Sequence, residues 1–201
     1  MHRIDLHLAS SSARRRDILE ALGLAFSWAG VDLDETPLDG ESALELAQRL
    51  AAAKAGAARA SMPETTPILA ADTVVVAGDE VLGKPRDRDD ALAMLRLLSD
   101  GVHEVITAIA VESDGRLLED ASRTEVRFRA ISGGEASAYW DSGEPHGKAG
   151  AYAIQGLGGV FVESIAGSYS GVVGLPVFET AALLRRIGIQ TLASAVKRET
   201  G

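Results

Sequence analysis

The chain has 201 residues, a formal net charge of −9 and no cysteine, which excludes a disulfide framework, a thiolate metal site and a cysteine nucleophile. The acidic balance disfavours a general nucleic-acid binder, because such proteins are ordinarily basic. A small anionic ligand is compatible with it, provided a local basic island forms, and Arg14, Arg15, Lys54, Lys84 and Lys148 can supply one.

The length predicts one domain over 1–201, or one with a lobe, the 46% hydrophobic content a globular class, and the 4% aromatic content an aliphatic core. No apolar run approaches the roughly 20 residues of a spanning helix. The opening MHRIDLHLASSS lacks the apolar centre of a signal peptide, so a cytoplasmic protein is expected.

Residues 4–8 read as a first strand, followed by a small-residue turn and a helix over 14–22. Ser12 is placed as its N-cap and Gly23 just past its end. A strand–turn–helix start leaves backbone N–H groups and the positive dipole end beside Ser10, Ser11 and Ser12, an anion site by its chemistry. Arg14 and Arg15 add forked donors suited to phosphate oxygens. Cations at a helix N-terminus are unfavourable unless an anion sits there.

Residues 24–31 predict a second strand, with Asp32, Asp34 and Glu35 in the following loop. Three acids there read as a solvated loop or as a source of one metal ligand. A helix is expected over 42–59, opened by a capping box of Ser42 and Glu45. Lys54 falls four after Leu50 and seven after Ala47, hence on the apolar face. There it either snorkels to solvent or reaches into a site.

Residues 68–76 are almost wholly apolar, as in a strand buried on both faces. Asp72 interrupts them. A buried carboxylate is costly unless paired, hydrogen-bonded or metal-bound. Gly78-Asp79 turns the chain, and Gly83-Lys84-Pro85 closes the hairpin. The run GDEVLGKP approaches the P-loop pattern, but Pro85 stands where the hydroxyl that holds magnesium would be, and the P-loop reading is rejected.

A helix over 87–98, a strand over 102–112 and a hairpin turn at Asp114-Gly115 follow. In the return strand Val126, Phe128 and Ala130 alternate with Glu125, Arg127 and Arg129, so one face is wet. His103 reads as a strand-end histidine; no histidine pair has metal-ligand spacing and no Ser/His/Asp set is identifiable. After a helix over 132–140, the glycine-rich segment 142–156 has the composition of a mobile loop that closes over ligands. Then come a strand over 160–165, a second glycine-rich loop over 167–174, a helix over 177–187 and a tail after Gln190 expected to fray. Strands alternating with helices, plus a hairpin, imply an α/β fold with a mixed sheet flanked by helices.

Taken together, these motifs resemble the Maf family of nucleoside triphosphate pyrophosphatases over residues 8–184, nearly the whole chain. The family's L-A-S-x-S-P-R-R appears as the run Leu8 to Arg15, A-D-T-x-V as Ala71 to Val75, and G-K-P as Gly83 to Pro85. H-x-V-x-T appears at His103 to Thr107, K-A-G-x-Y-x-I-Q-G at Lys148 to Gly156, and V-V-G-L-P at Val172 to Pro176. Ala13 replaces the usual proline, and Gly147 stands where members often carry an acid, so no carboxylate is assigned there.

The resemblance implies an elongated mixed sheet related to the inosine triphosphate pyrophosphatases, and hydrolysis of a nucleoside triphosphate substrate to monophosphate and pyrophosphate. It implies a divalent cation (Mg2+ or Mn2+) and a homodimer, with no nucleic acid or membrane as partner. Asp72 is the implied proton acceptor, and Glu35 joins it as the second metal carboxylate. Ser10, Arg14, Arg15, Lys54 and Lys84 would bind the triphosphate. Arg14, Thr73 and Gln155 are similar to the branch acting on dTTP and UTP, whereas the 7-methyl-GTP branch typically has tryptophan, glutamine and glutamate there. The neutral amide of Gln155 offers a donor and an acceptor to a pyrimidine edge. The expected activity is therefore dTTP and UTP hydrolysis, with modified pyrimidine nucleotides as further candidates. The rivals are a 7-methyl-GTP pyrophosphatase, an inosine triphosphate pyrophosphatase, and a non-enzymatic nucleotide sensor regulating division.

Overall fold

The computed structural model describes residues 4–191, so the tail expected to fray lies, from residue 192 on, outside the described residues. No helix among the described residues is long and apolar enough to cross a membrane.

The strands are β1 (Leu6–Ala9), β2 (Phe26–Ala29), β3 (Ile68–Ala77), β4 (Glu80–Leu82), β5 (Val102–Ser113), β6 (Arg116–Phe128) and β7 (Val162–Ala166). They form one seven-stranded sheet in the order β2-β1-β3-β5-β6-β7, with β4 paired to β3. β1 runs parallel to β2 and β3, whereas β4 and β7 pair antiparallel to β3 and β6. The sheet is therefore mixed, as the alternation of elements predicts. The helices are α1 (Ala13–Ala21), α2 (Ala43–Arg59), α3 (Arg88–Leu98), α4 (Gly133–Asp141), α5 (Tyr169–Val173) and α6 (Val177–Arg186).

The chain divides into two compact units. One contains residues up to Asp72, 107–121 and residues from Gly174 on; the other contains 73–106 and 122–173. In the first, Leu6 and Leu8 of β1, Leu19 of α1, Leu69 and Ala71 of β3, Ile109 of β5 and Leu183 of α6 share one buried aliphatic cluster. Each such leucine contributes roughly 1.5–3 kcal/mol by leaving water.

The second unit departs from the expected aliphatic core. Phe128, Tyr139, Tyr152 and Phe161, all buried, pack edge-on or tilted with ring centroids 4.8–6.1 Å apart, and His103 joins them 4.8 Å from Phe128. The aromatic residues are few, but they are concentrated here, and each brings a large apolar area. His103 is thus a core residue of β5, 3% exposed.

Asp114 and Gly115 both have positive φ, 51° and 71°, the backbone that a two-residue hairpin turn requires. Several boundaries differ from expectation. β2 is confined to four residues, and β7 starts at Val162 because 157–161 coil as a 3-10 turn. Residues 169–173, read as loop, form the short α5. Alternation along β6 holds from Ser122 to Phe128, but Ala130 is exposed. β6 ends at Phe128, and Arg129 turns its guanidinium to the Val160 carbonyl and to Glu135.

Candidate active site

The first unit assembles a charged group from three elements. In α2, Leu46, Ala47, Leu50, Ala51, Lys54, Ala55 and Ala58 are all buried, so the helical register carries Lys54 inward. The capping box that fixes the start of this helix is present, with Ser42 and Glu45 each bonding the other's backbone N–H. Asp72 is the fifth residue of β3, only 8% exposed. The Lys54 ammonium donates to Asp72 Oδ1 at 2.5 Å and to Glu35 Oε1 at 2.6 Å.

Lys54 therefore does not snorkel to solvent. It supplies the partner that a carboxylate inside an apolar strand demands. Glu35, from the loop after β2, is the more exposed member, with 39% of its side chain in solvent. Lys54, Asp72 and Glu35 were each legible as candidates, and the structure joins them into one ion triad.

At the start of α1 the expected N-cap residue is in place. Ser12 occupies the N-cap position but its side chain makes no capping bond; instead its backbone N–H donates to Ser10 Oγ at 3.2 Å. Arg15 donates through Nη1 to the same Ser10 hydroxyl at 3.2 Å and through Nε to the Gly174 carbonyl at 2.7 Å. Burial pushes the Arg15 guanidinium down to about 10. The carboxylates of Asp72 and Glu35 oppose that shift, and the Arg14 charge adds to it. Arg15 remains cationic at neutral pH. The two carboxylates that Lys54 binds therefore also act on the Arg15 charge, so two cations share them.

Thr73, Lys84 and Gln155 belong to the second unit. Thr73 follows Asp72 along β3 and is half-buried. The Gly83 carbonyl, next to Lys84, accepts the Gly150 N–H at 3.1 Å, which ties the hairpin turn to the 148–156 segment. Gln155 is exposed on that segment while Tyr152, Ala153 and Ile154 before it are buried. Lys148, counted with the basic island, spends its ammonium on the Glu144 backbone carbonyl. The segment read as a mobile loop is pinned by Glu144 and Tyr139, which sequence reasoning missed; its signal was an acid, Glu144, in a segment with glycines at 156 and 158.

Among the described residues no group of three or more acidic or histidine side chains is placed to hold a metal ion. Asp72 and Glu35 nevertheless converge on a single cation, the Lys54 ammonium. Hard carboxylate oxygens in that number fit magnesium or manganese as these ions bind in nucleotide sites, where phosphate oxygens and water complete the shell.

Comparison with known proteins follows the same line. Residues 5–187 match the family model described as Maf-like protein. A dTTP/UTP pyrophosphatase of Bordetella parapertussis is 52% identical over 193 residues, covering 92% of this chain and 93% of that protein. Proteins of the same name from Chromobacterium violaceum and Hahella chejuensis are each 50% identical, covering 92% of this chain and 96% and 93% of theirs. Among solved structures, a nucleoside-triphosphatase (dITP/XTP pyrophosphatase) of Mycobacterium abscessus aligns with TM-score 0.36 and 15% identity over 61% of this chain and 72% of that one, a similarity too low to carry a structural argument.

Proposed function

The chain belongs to the Maf-like protein family, and from that premise we propose that it is a nucleoside triphosphate pyrophosphatase hydrolysing dTTP and UTP. The products are the monophosphate and pyrophosphate. Relatives about half identical over most of their length carry that activity in their names. The single observation in the structure that supports the chemistry best is the buried Lys54 ammonium held between Asp72 and Glu35.

Hydrolysis of the α–β anhydride needs a positioned water, a proton acceptor and cations against the phosphate charge. Asp72 is the proposed acceptor. One of its oxygens, Oδ1, is fixed by Lys54, which orients the carboxylate so that Oδ2 can take the proton of the attacking water. Ser10, Arg14, Arg15, Lys54 and Lys84 are proposed to bind the triphosphate. Asp72 and Glu35 would hold a divalent cation, Mg2+ or Mn2+, which when bound neutralises phosphate oxygens. Thr73 and the Gln155 amide are proposed to read the pyrimidine. A cytoplasmic homodimer, as expected from the sequence, completes the reading; sedimentation at twice the chain's mass checks the dimer.

Asp72→Asn tests the chemistry. It keeps the side chain's shape and a hydrogen-bonding oxygen for Lys54 but removes the base. Pyrophosphate release is expected to fall by at least about 100-fold, the lower range for general-base loss, while dTTP binding by calorimetry persists. Undiminished release by the variant would remove Asp72 from the role.

A further inference from the structure

Glu144 lies in the turn after α4 and has no part in the chemistry proposed above. Its Oε1 accepts the Tyr139 hydroxyl at 2.7 Å and the Gly158 N–H at 2.9 Å, and its Oε2 accepts the Leu157 N–H at 2.9 Å. The Tyr139 oxygen in turn accepts the Ala153 N–H at 3.0 Å. Two side chains thus hold the backbone two residues before Gln155 and two and three residues after it.

A larger residue at Gly156 or Gly158 would have to displace the staple. A Cβ on Gly156 would stand 2.1 Å from Glu144 Oε2, and one on Gly158 would stand 2.5 Å from the Tyr139 hydroxyl. The glycines around Gln155 are therefore the space into which this staple fits. Burial works against the Glu144 charge, but the hydrogen bonds from Tyr139, Gly158 and Leu157 outweigh it and hold the carboxyl below its usual range. Burial and the Glu144 hydrogen bond push the Tyr139 phenol up. The pair accordingly stays an ionised acceptor and a protonated donor at neutral pH, a charge-assisted bond.

The one exposed polar side chain inside this clamped stretch is Gln155. We propose that the Tyr139–Glu144 pair is a positioning device that fixes the direction of the Gln155 amide, which makes Glu144 and Tyr139 specificity-determining positioning residues for the nucleobase. This rests on the reading of Gln155 as the base reader. A preorganised backbone lets the amide discriminate without first ordering a loop. Loosening it should affect base choice more than turnover.

The test compares kcat and KM for UTP, CTP and GTP in the wild type, Glu144→Gln, Tyr139→Phe, Gln155→Ala and the Gln155→Ala/Glu144→Gln double variant. Tyr139→Phe keeps the ring that packs 5.2 Å from Phe161, so it provides a folded variant even if Glu144→Gln does not. Gln155→Ala is expected to collapse the kcat/KM preference for UTP. Each staple variant is expected to lose roughly tenfold of the same preference, as removal of a charged hydrogen bond would allow, mostly through KM. The double variant should be no less selective than Gln155→Ala alone, because the staple acts through that amide. A purely structural staple would instead lower stability and leave the ratio unchanged. Preference kept in folded Tyr139→Phe while Gln155→Ala loses it overturns this proposal alone. Preference kept in Gln155→Ala overturns the base-reading role beneath it.

Discussion

At the scale of single residues, charge in an apolar setting is the informative signal. Asp72 within the apolar run of β3 and Lys54 on the buried face of α2 were both readable from spacing. That they meet each other was not, because the chain between them, 18 positions from one to the other, passes through a helix end and a loop whose path no local pattern dictates. Lys54→Met would strip Asp72 of its cation inside the protein. The expected cost is about 3–5 kcal/mol, and the Lys54→Met/Asp72→Asn double variant should recover part of it in urea unfolding. An additive loss in the double variant would contradict direct pairing.

His103 gives a second prediction at this scale. Burial pushes it down to about 4, and His7 is also lowered, by burial and then by Arg59. For both, the unfolded chain takes protons more readily than the folded one. The stability they confer is full above their ordinary value near 6.5 and is lost as pH falls toward the folded values. His103 alone contributes a slope of at most about 1.4 kcal/mol per pH unit between pH 6.5 and 4. Unfolding midpoints measured across that range should flatten in His103→Gln; an unchanged slope would show that the imidazole titrates normally.

At the scale of elements, helix starts and hairpin turns were legible because their signals are local. The capping box at Ser42 and the Asp114-Gly115 turn stand where the sequence puts them. Ser42→Ala is expected to cost about 1 kcal/mol, read by denaturation, with kcat unchanged because the cap lies three turns from Lys54. The elements that were misread depend on distant partners. The 142–156 segment looks mobile by composition, yet it is held by a tyrosine from α4 and by Glu144. Composition reports glycine content, and it cannot report that the glycines make room for a carboxylate.

At the scale of the whole molecule, an acidic chain of net charge −9 is proposed to bind a polyanion, so local arrangement must prevail over the overall charge. Lys54 and Arg15, which share the carboxylates of Asp72 and Glu35 in the first unit, provide that arrangement together with the neighbouring Arg14. Because no group of three or more acidic or histidine side chains among the described residues is placed to hold a metal, magnesium alone should leave the thermal midpoint nearly unchanged, while magnesium with dTTP should raise it. A large shift with magnesium alone would mean a preformed metal cage. The central claim, pyrimidine triphosphate hydrolysis, is tested most directly by pyrophosphate release with magnesium or manganese across dTTP, UTP, CTP, GTP, ITP and 7-methyl-GTP. The account predicts the highest kcat/KM for dTTP and UTP. A preference for 7-methyl-GTP would contradict the roles given to Thr73 and Gln155, and no release from any triphosphate would contradict the enzyme itself.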